Sequence, residues 1–419
     1  MKVLHLVGGS IDSGAGKGAL WLHLSQLEAG IDSKLLTNSL KSNVNYPFVE
    51  FAINNFFSLY YELLKTKLFS YFPLKFYRKR EKYIFSLGVN GFNFFNLDCY
   101  KEADIIHLHW INGLVSIDQI NKIDKPIVWT LRDMWPFTGG CHISLGCDRY
   151  KKYCGKCPQL GSNHSFDLSS LVLNMKKKYF NKRIIIVGIS DWISECARNS
   201  SVFREYEIKT ISNNVNTSLF KPIEKYKARS ILKISDNKKI VLLGAEVIDE
   251  PWKGFHKFIE SIKYLDLSKL HFLFFGTINR ELIINLGIDF TLLGRINSIE
   301  ELSIIYSSAD VFVAPSIFDS FGKTLVESIS CGTLVVCFDA TGPKDIVEHK
   351  LSGYKAKPYD SLDLANGINW VLNLDNSEYF KLAQRGRTRI VNLFDSKEIA
   401  YKYKLLYKEI LTYNKFIYE

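Results

Sequence analysis

The chain has 419 residues, enough for two or three domains, and 47% of them are hydrophobic, enough for two sizeable cores. Its formal net charge of +11 favours polyanionic partners, whether nucleotide diphosphates, anionic lipid headgroups or nucleic acid. No apolar run reaches the roughly 18 residues of a membrane span, no nucleic-acid motif is present, and the eight cysteines come without a secretory signal, so a cytoplasmic protein with reduced thiols is expected.

In the first half, strand and helix patterns alternate. Val3 to Val7 predicts a strand, followed by the glycine-rich loop GGSIDSGAGKG (Gly8 to Gly18) and a helix with Leu20, Leu24 and Leu27 on one face and Gly30 as its stop. Lys34 to Thr37 is the next strand, which completes a βαβ start. A phosphate-binding Walker loop would need Ser or Thr after Lys17, where Gly18 stands, and a dinucleotide fingerprint would need an acidic residue where Thr37 and Asn38 stand. A ligand-facing loop and a plain tight turn both remain open.

Residues 55–85 combine a stripe of Phe57, Tyr60, Leu64, Leu68 and Tyr71 with a run of lysines and arginines. Such a helix either buries its stripe in the core or lies on an anionic membrane face. Ala103 to Leu114 (ADIIHLHWINGL) predicts a buried strand ending in histidine, with His107 expected on the other face as packing. Ile127 to Cys141 predicts a strand and loop that carries Arg132, a fixed charge suited to phosphate or carboxylate but not to proton transfer. Cys141, Cys147, Cys154 and Cys157 follow, the last two as C-G-K-C. They could hold a structural zinc, remain free thiols or form a disulfide. Arg183 to Ser190 predicts a further strand.

The second half predicts a parallel doubly wound sheet: KIVLLGA (Lys239 to Ala245), LHFLFFG (Leu270 to Gly276), FTLLGRI (Phe290 to Ile296), ADVFVA (Ala309 to Ala314) and TLVVCFDA (Thr333 to Ala340), separated by helical segments. Pro315 to Glu327 (PSIFDSFGKTLVE) reads as strand, loop and helix, with Asp319 or Ser320 as N-cap. The N–H groups of Gly322, Lys323 and Thr324 at the helix start suit a phosphate. Asp319 and Glu327 lie on the order of 10 Å apart at about 1.5 Å rise per residue. A retaining glycosidase pair needs about 5–5.5 Å. The span suits a nucleotide sugar; an ordinary surface carboxylate and a capped helix is the bland alternative.

This stretch resembles the Glu-x7-Glu motif of retaining GT-B glycosyltransferases, particularly glycosyltransferase family 4, with Asp319 in place of the first Glu. The resemblance extends to Lys253-Gly254 in DEPWKGF, to the loop Gly8 to Gly18 and to SNNVNTSLFKP (Ser212 to Pro222), which is similar to the family's interdomain link. It implies a GT-B fold, two Rossmann-like domains with a cleft between them: 1–205 on the acceptor side, joined by a C-terminal helix over 396–419, and 206–395 on the donor side. It implies transfer of a sugar from a nucleotide sugar donor, with retention, to a lipid-linked or saccharide acceptor of a bacterial surface polysaccharide (O-antigen, capsule or exopolysaccharide), at the inner face of the cytoplasmic membrane. By resemblance, His109 and Asp319 grip the sugar. Glu327 holds the ribose, and Lys253 with the amides of Gly322, Lys323, Thr324 and Leu325 stabilises the diphosphate. Gly16 lies near donor phosphate or acceptor, and Gly276 and Arg295 near base and ribose. No cofactor and no catalytic metal is implied. Arg132 stands where relatives carry histidine, and Ala245 where they carry a second phosphate-binding arginine, which Arg295 or Arg132 would replace. A GT-B nucleotide-sugar epimerase and a non-catalytic donor-binding homologue are the alternatives.

Overall fold

The structure, a computed structural model, describes residues 1–38, 45–53, 56–180, 184–235 and 237–418. It forms two compact units, Met1–Ser212 with Ile399–Glu419, and Asn213–Glu398.

The first unit is built on a parallel sheet of seven strands in the order β3-β2-β1-β4-β5-β6-β7. These are β1 (Lys2–Val7), β2 (Asp32–Thr37), β3 (Val49–Phe51), β4 (Ile105–Leu108), β5 (Ile127–Leu131), β6 (Ile184–Gly188) and β7 (Ile208–Thr210). Parallel strands covered on both faces read as unbroken apolar runs, and every residue of β4 and β5 is buried. Arg183, the first residue of the expected sixth strand, lies outside the described residues, and β6 begins at Ile184. The C-terminal helix Ser396–Tyr418 places Ile399, Tyr403, Leu406, Tyr407 and Ile410 in one core cluster with Val3, Ile105 and Val128.

The segment after β3 does not follow the first of its two readings, a stripe buried in the core. Helix Phe56–Thr66 runs into a π turn, Lys67–Tyr71, and stops at Pro73, which opens a short 3-10 turn. Its stripe is not core: Tyr60 is 63% exposed, Leu64 and Leu68 53% and Tyr71 60%. The side chain of Phe57 lies outside the described ones. Helical spacing tells which residues share a face, not what that face meets, and here it forms an apolar surface. Among the described residues, no helix is long and apolar enough to cross a membrane.

The second unit carries a parallel six-stranded sheet in the order β10-β9-β8-β11-β12-β13. Its strands are β8 (Lys239–Val247), β9 (Leu270–Thr277), β10 (Phe290–Leu292), β11 (Val311–Ala314), β12 (Val335–Phe338) and β13 (Gly353–Ala356). β10 ends at Leu292 rather than Ile296, because the backbone at Gly294 turns left-handed, φ +71. Val241, Phe272, Val313 and Val336 join the helices' Phe255, Phe258 and Leu364 in one core.

A buried ion cluster pins the entry to β11. Asp310 Oδ2 accepts from Arg229 Nη2 at 2.6 Å and from the Ile240 N–H at 2.7 Å, and its Oδ1 accepts from Lys225 Nζ at 2.9 Å. The Asp310 and Arg229 side chains are 9% and 7% exposed. Burial alone would raise the Asp310 pKa, but the two cations outweigh it and hold the carboxyl below its ordinary range.

Candidate active site

In the second unit, two loops and one helix end meet. The 3-10 turn Pro251–Lys253 leads to Gly254 at φ +69, where a Cβ would stand 1.9 Å from the Pro315 carbonyl oxygen. Only glycine permits that approach. The N–H groups of Ile317 and Phe318 both donate to the Trp252 carbonyl, at 2.9 and 3.1 Å, and stitch the loops together. Lys253 Nζ is thereby held 2.9 Å from Asp319 Oδ2, a pair with side chains 30% and 22% exposed. Asp319 Oδ1 accepts from the N–H groups of Phe321 and Gly322 at 3.1 and 2.9 Å. These bonds tie the turn before helix Lys323–Ser330, but neither Asp319 nor Ser320 is its expected N-cap: that position is Gly322, left-handed at φ +103 and without a side-chain cap. Partial burial pushes the Asp319 pKa up, but Lys253 and the two amides outweigh this and hold it below the ordinary value.

Glu327 lies on the second turn of that helix, almost fully buried. Its Oε2 accepts from the Tyr306 hydroxyl at 2.8 Å, and Lys323 Nζ stands 3.9 Å from its Oε1. Burial, and next the Glu327 charge, push the Tyr306 pKa well up, so this phenol stays a donor. Nothing in the sequence around Ile299–Ser308 marks Tyr306 as a partner, since the contact closes over 21 residues.

Of the expected amide donors, Gly322 donates to Asp319, and Leu325 donates to the Gly322 carbonyl at 3.0 Å. Those of Lys323 and Thr324 open the helix. The Gly276 N–H donates to the Gly294 carbonyl at 2.7 Å. Arg295 Nη2 lies 3.5 Å from Glu246 Oε1, both side chains more than half exposed. In the first unit, Gly16 sits in helix Gly14–Glu28 with its N–H donating to the capping Ser13 hydroxyl at 3.1 Å. The four cysteines Cys141, Cys147, Cys154 and Cys157 line one small cavity.

His109, just past β4, is buried within a continuous hydrogen-bonded chain. Arg132 Nη2 donates to His109 Nδ1 at 3.1 Å, His109 Nε2 to His5 Nδ1 at 2.8 Å, and His5 Nε2 to Gln26 Oε1 at 2.9 Å. Gln26 Nε2 then donates to the Tyr407 hydroxyl at 2.9 Å, Tyr407 to His107 Nδ1 at 2.6 Å, and His107 Nε2 to Thr130 Oγ1 at 2.7 Å. These directions are assigned as those giving every proton an acceptor with all three imidazoles neutral. Burial lowers all three histidine pKa values, that of His5 to about 3. His107 does not point to the other face: its ring stacks on that of His109 at 4.2 Å, as the two-residue strand period requires. His5 was missed, although it pairs in register with His107 across β1 and β4.

Unfolded histidines bind protons below about pH 6.5, whereas these stay neutral when folded, so stability drops as the medium is acidified. The expected loss is on the order of 1.4 kcal/mol per pH unit for each histidine below about 6.5, down to the folded pKa. Melting curves between pH 7.5 and 5 check this; an unchanged melting temperature would mean freely titrating imidazoles.

Residues 224–389 match the family described as Glycosyl transferases group 1. Over 313 residues the chain is 25% identical to "Uncharacterized glycosyltransferase MJ1607" of Methanocaldococcus jannaschii, which covers 68% of this chain and 77% of that one. Over 228 residues it is 27% identical to "Lipopolysaccharide core biosynthesis glycosyltransferase LpsE" of Rhizobium meliloti, covering 54% and 64%. The crystal structure of Anabaena HepE in complex with UDP and glucose superposes with a TM-score of 0.65 at 17% identity, covering 98% of this chain and all of that one. The chain has the GT-B fold, two parallel-sheet Rossmann-like units, and its second unit is similar to glycosyl transferases of group 1.

Proposed function

We propose that the chain transfers a glycosyl unit, with retention at the anomeric carbon, from a nucleoside diphosphate sugar to a lipid-linked saccharide of a bacterial surface polysaccharide. The observation that carries this reading is the Lys253–Asp319 pair at the start of helix Lys323–Ser330, one turn ahead of the buried Glu327. Lys253 and the amides of Lys323 and Thr324 stabilise the negative charge that develops on the departing diphosphate. Glu327, oriented by Tyr306, accepts from the ribose hydroxyls. Asp319 faces the sugar, and the leaving phosphate takes the acceptor proton, so the step calls for no metal. The UDP and glucose bound by HepE support the donor class, and the lipopolysaccharide-core role in the name of LpsE supports the acceptor class. The exposed stripe with Leu64, Leu68 and Phe72, interleaved with Lys67 and Lys75, suits an anionic membrane that presents a lipid-linked acceptor.

The test is turnover of a panel of UDP, GDP, ADP and dTDP sugars with an acceptor in vesicles containing anionic lipid, for the wild type and Glu327→Ala. The expected result is nucleoside diphosphate released from one donor, an axial or equatorial anomeric bond matching that donor, and loss of release in Glu327→Ala. Release from none, or an inverted product, would overturn the reading.

A further inference from the structure

The geometry points to a structural zinc ion bound by Cys141, Cys147, Cys154 and Cys157 in the first unit. All four residues line a single cavity of about 20 Å³, room for one atom of water size. It lies in the loop between β5 and helix Leu168–Tyr179.

The backbone around the cavity packs closely against the cysteines. Gly139 lies against Cys154, where a Cβ would fall 2.9 Å from the sulfur and 2.4 Å from the Ser169 carbonyl oxygen. The C-G-K-C turn is held in an unusual shape. Gly155 has φ +132, with a Cβ there falling 2.2 Å from the Ser165 carbonyl oxygen, and Lys156, a residue with a side chain, has φ +46. Two consecutive left-handed residues curl the chain so that Cys154 and Cys157 line the same cavity. Asp167 Oδ2 fixes the exit by accepting from the Cys157 N–H at 2.9 Å, while its Oδ1 caps the following helix.

Lys176 supplies a buried positive charge beside the cluster. Its Nζ donates to the Trp135 and Thr138 carbonyls and stands 3.7 Å over the Trp135 ring. A zinc ion with four thiolates carries two net negative charges, which this ammonium would offset.

Among the described residues, the one set of three potential ligand atoms within 4.8 Å of one another is His5, His107 and His109. That set is unsuited to metal, because all its ring nitrogens are already spent in the chain from Arg132 to Thr130. Among the described residues no three of the four sulfurs form such a set, so binding would draw them inward to the roughly 3.8 Å edge of a tetrahedron with Zn–S about 2.3 Å. All eight cysteines are free thiols. Zinc binding would rotate these four onto the ion with release of one proton each, Zn²⁺ plus four thiols giving the tetrathiolate complex and four protons. The ion would fix the loop that holds His142 Nδ1 2.6 Å from Asp133 Oδ2.

Metal analysis of the purified full chain tests this. One zinc per chain is expected, freed when a mercurial titrates the thiols. Cobalt(II) exchanged into the same site should give the intense visible bands of a tetrahedral thiolate complex. Cys154→Ser and Cys157→Ser should fall from one zinc to none, and Cys337→Ser, in β12, should keep it. Should the serine variants fail to fold, the wild-type stoichiometry and the cobalt spectrum decide alone. Protein that neither holds zinc nor takes it up with proton release, or that contains a disulfide between any of these four cysteines, overturns the site.

Discussion

Replacing Lys253 by alanine is expected to lower kcat/KM for the nucleotide sugar by roughly 10² to 10³, the usual effect of removing one preorganised group that stabilises charge in the transition state. The expectation rests on how firmly the ammonium is placed. Gly254 lets its turn lie against Pro315, two amides anchor the Pro315–Asp319 loop on Trp252, and the Asp319 carboxylate holds Nζ at 2.9 Å. In Lys253→Ala, Asp319 retains the amides of Phe321 and Gly322, so the turn before the helix and the fold should survive. Steady-state kinetics beside a thermal melt separate the two effects. A kcat/KM within about threefold of wild type would remove Lys253 from the machinery.

Asp310→Ala should destabilise the protein by about 3–5 kcal/mol, the cost of leaving a buried cation without its counter-ion. Arg229 would lose its 2.6 Å carboxylate partner in a site where both side chains are less than a tenth exposed, and the Ile240 N–H would lose its acceptor. The Lys238–Asp289 pair, with both side chains more than a third exposed, is the control: Asp289→Ala should cost less than about 1 kcal/mol. Urea denaturation measures both, and equal effects would show that burial is not what gives the Asp310 cluster its weight.

The two sheets were legible because parallel strands buried on both faces, such as IVWTL in β5 and VFVA in β11, leave an apolar run that few other structures produce. The glycine of Lys253-Gly254 was legible as a motif, but its reason, the oxygen of Pro315, was not, because it comes from a loop about sixty residues later. Contacts of that kind leave no local mark. The hydroxyl of Tyr306 on Glu327, and that of Tyr407 on His107 across 300 residues, belong with it. The exposed stripe at Leu64 and Leu68 could not be told from a core stripe, since periodicity is the same for both. His107 was misplaced for a simpler reason: residues two apart on a strand share a face.

The central claim is that Lys253, Asp319 and Glu327 bind a nucleoside diphosphate sugar, and ligand-detected NMR with UDP, GDP, ADP and dTDP sugars tests it most directly. The account predicts that sugars of one base bind the wild type and that Lys253→Ala and Glu327→Ala, both folded, lose that binding. No binding of any donor, or equal binding by both variants, would contradict it.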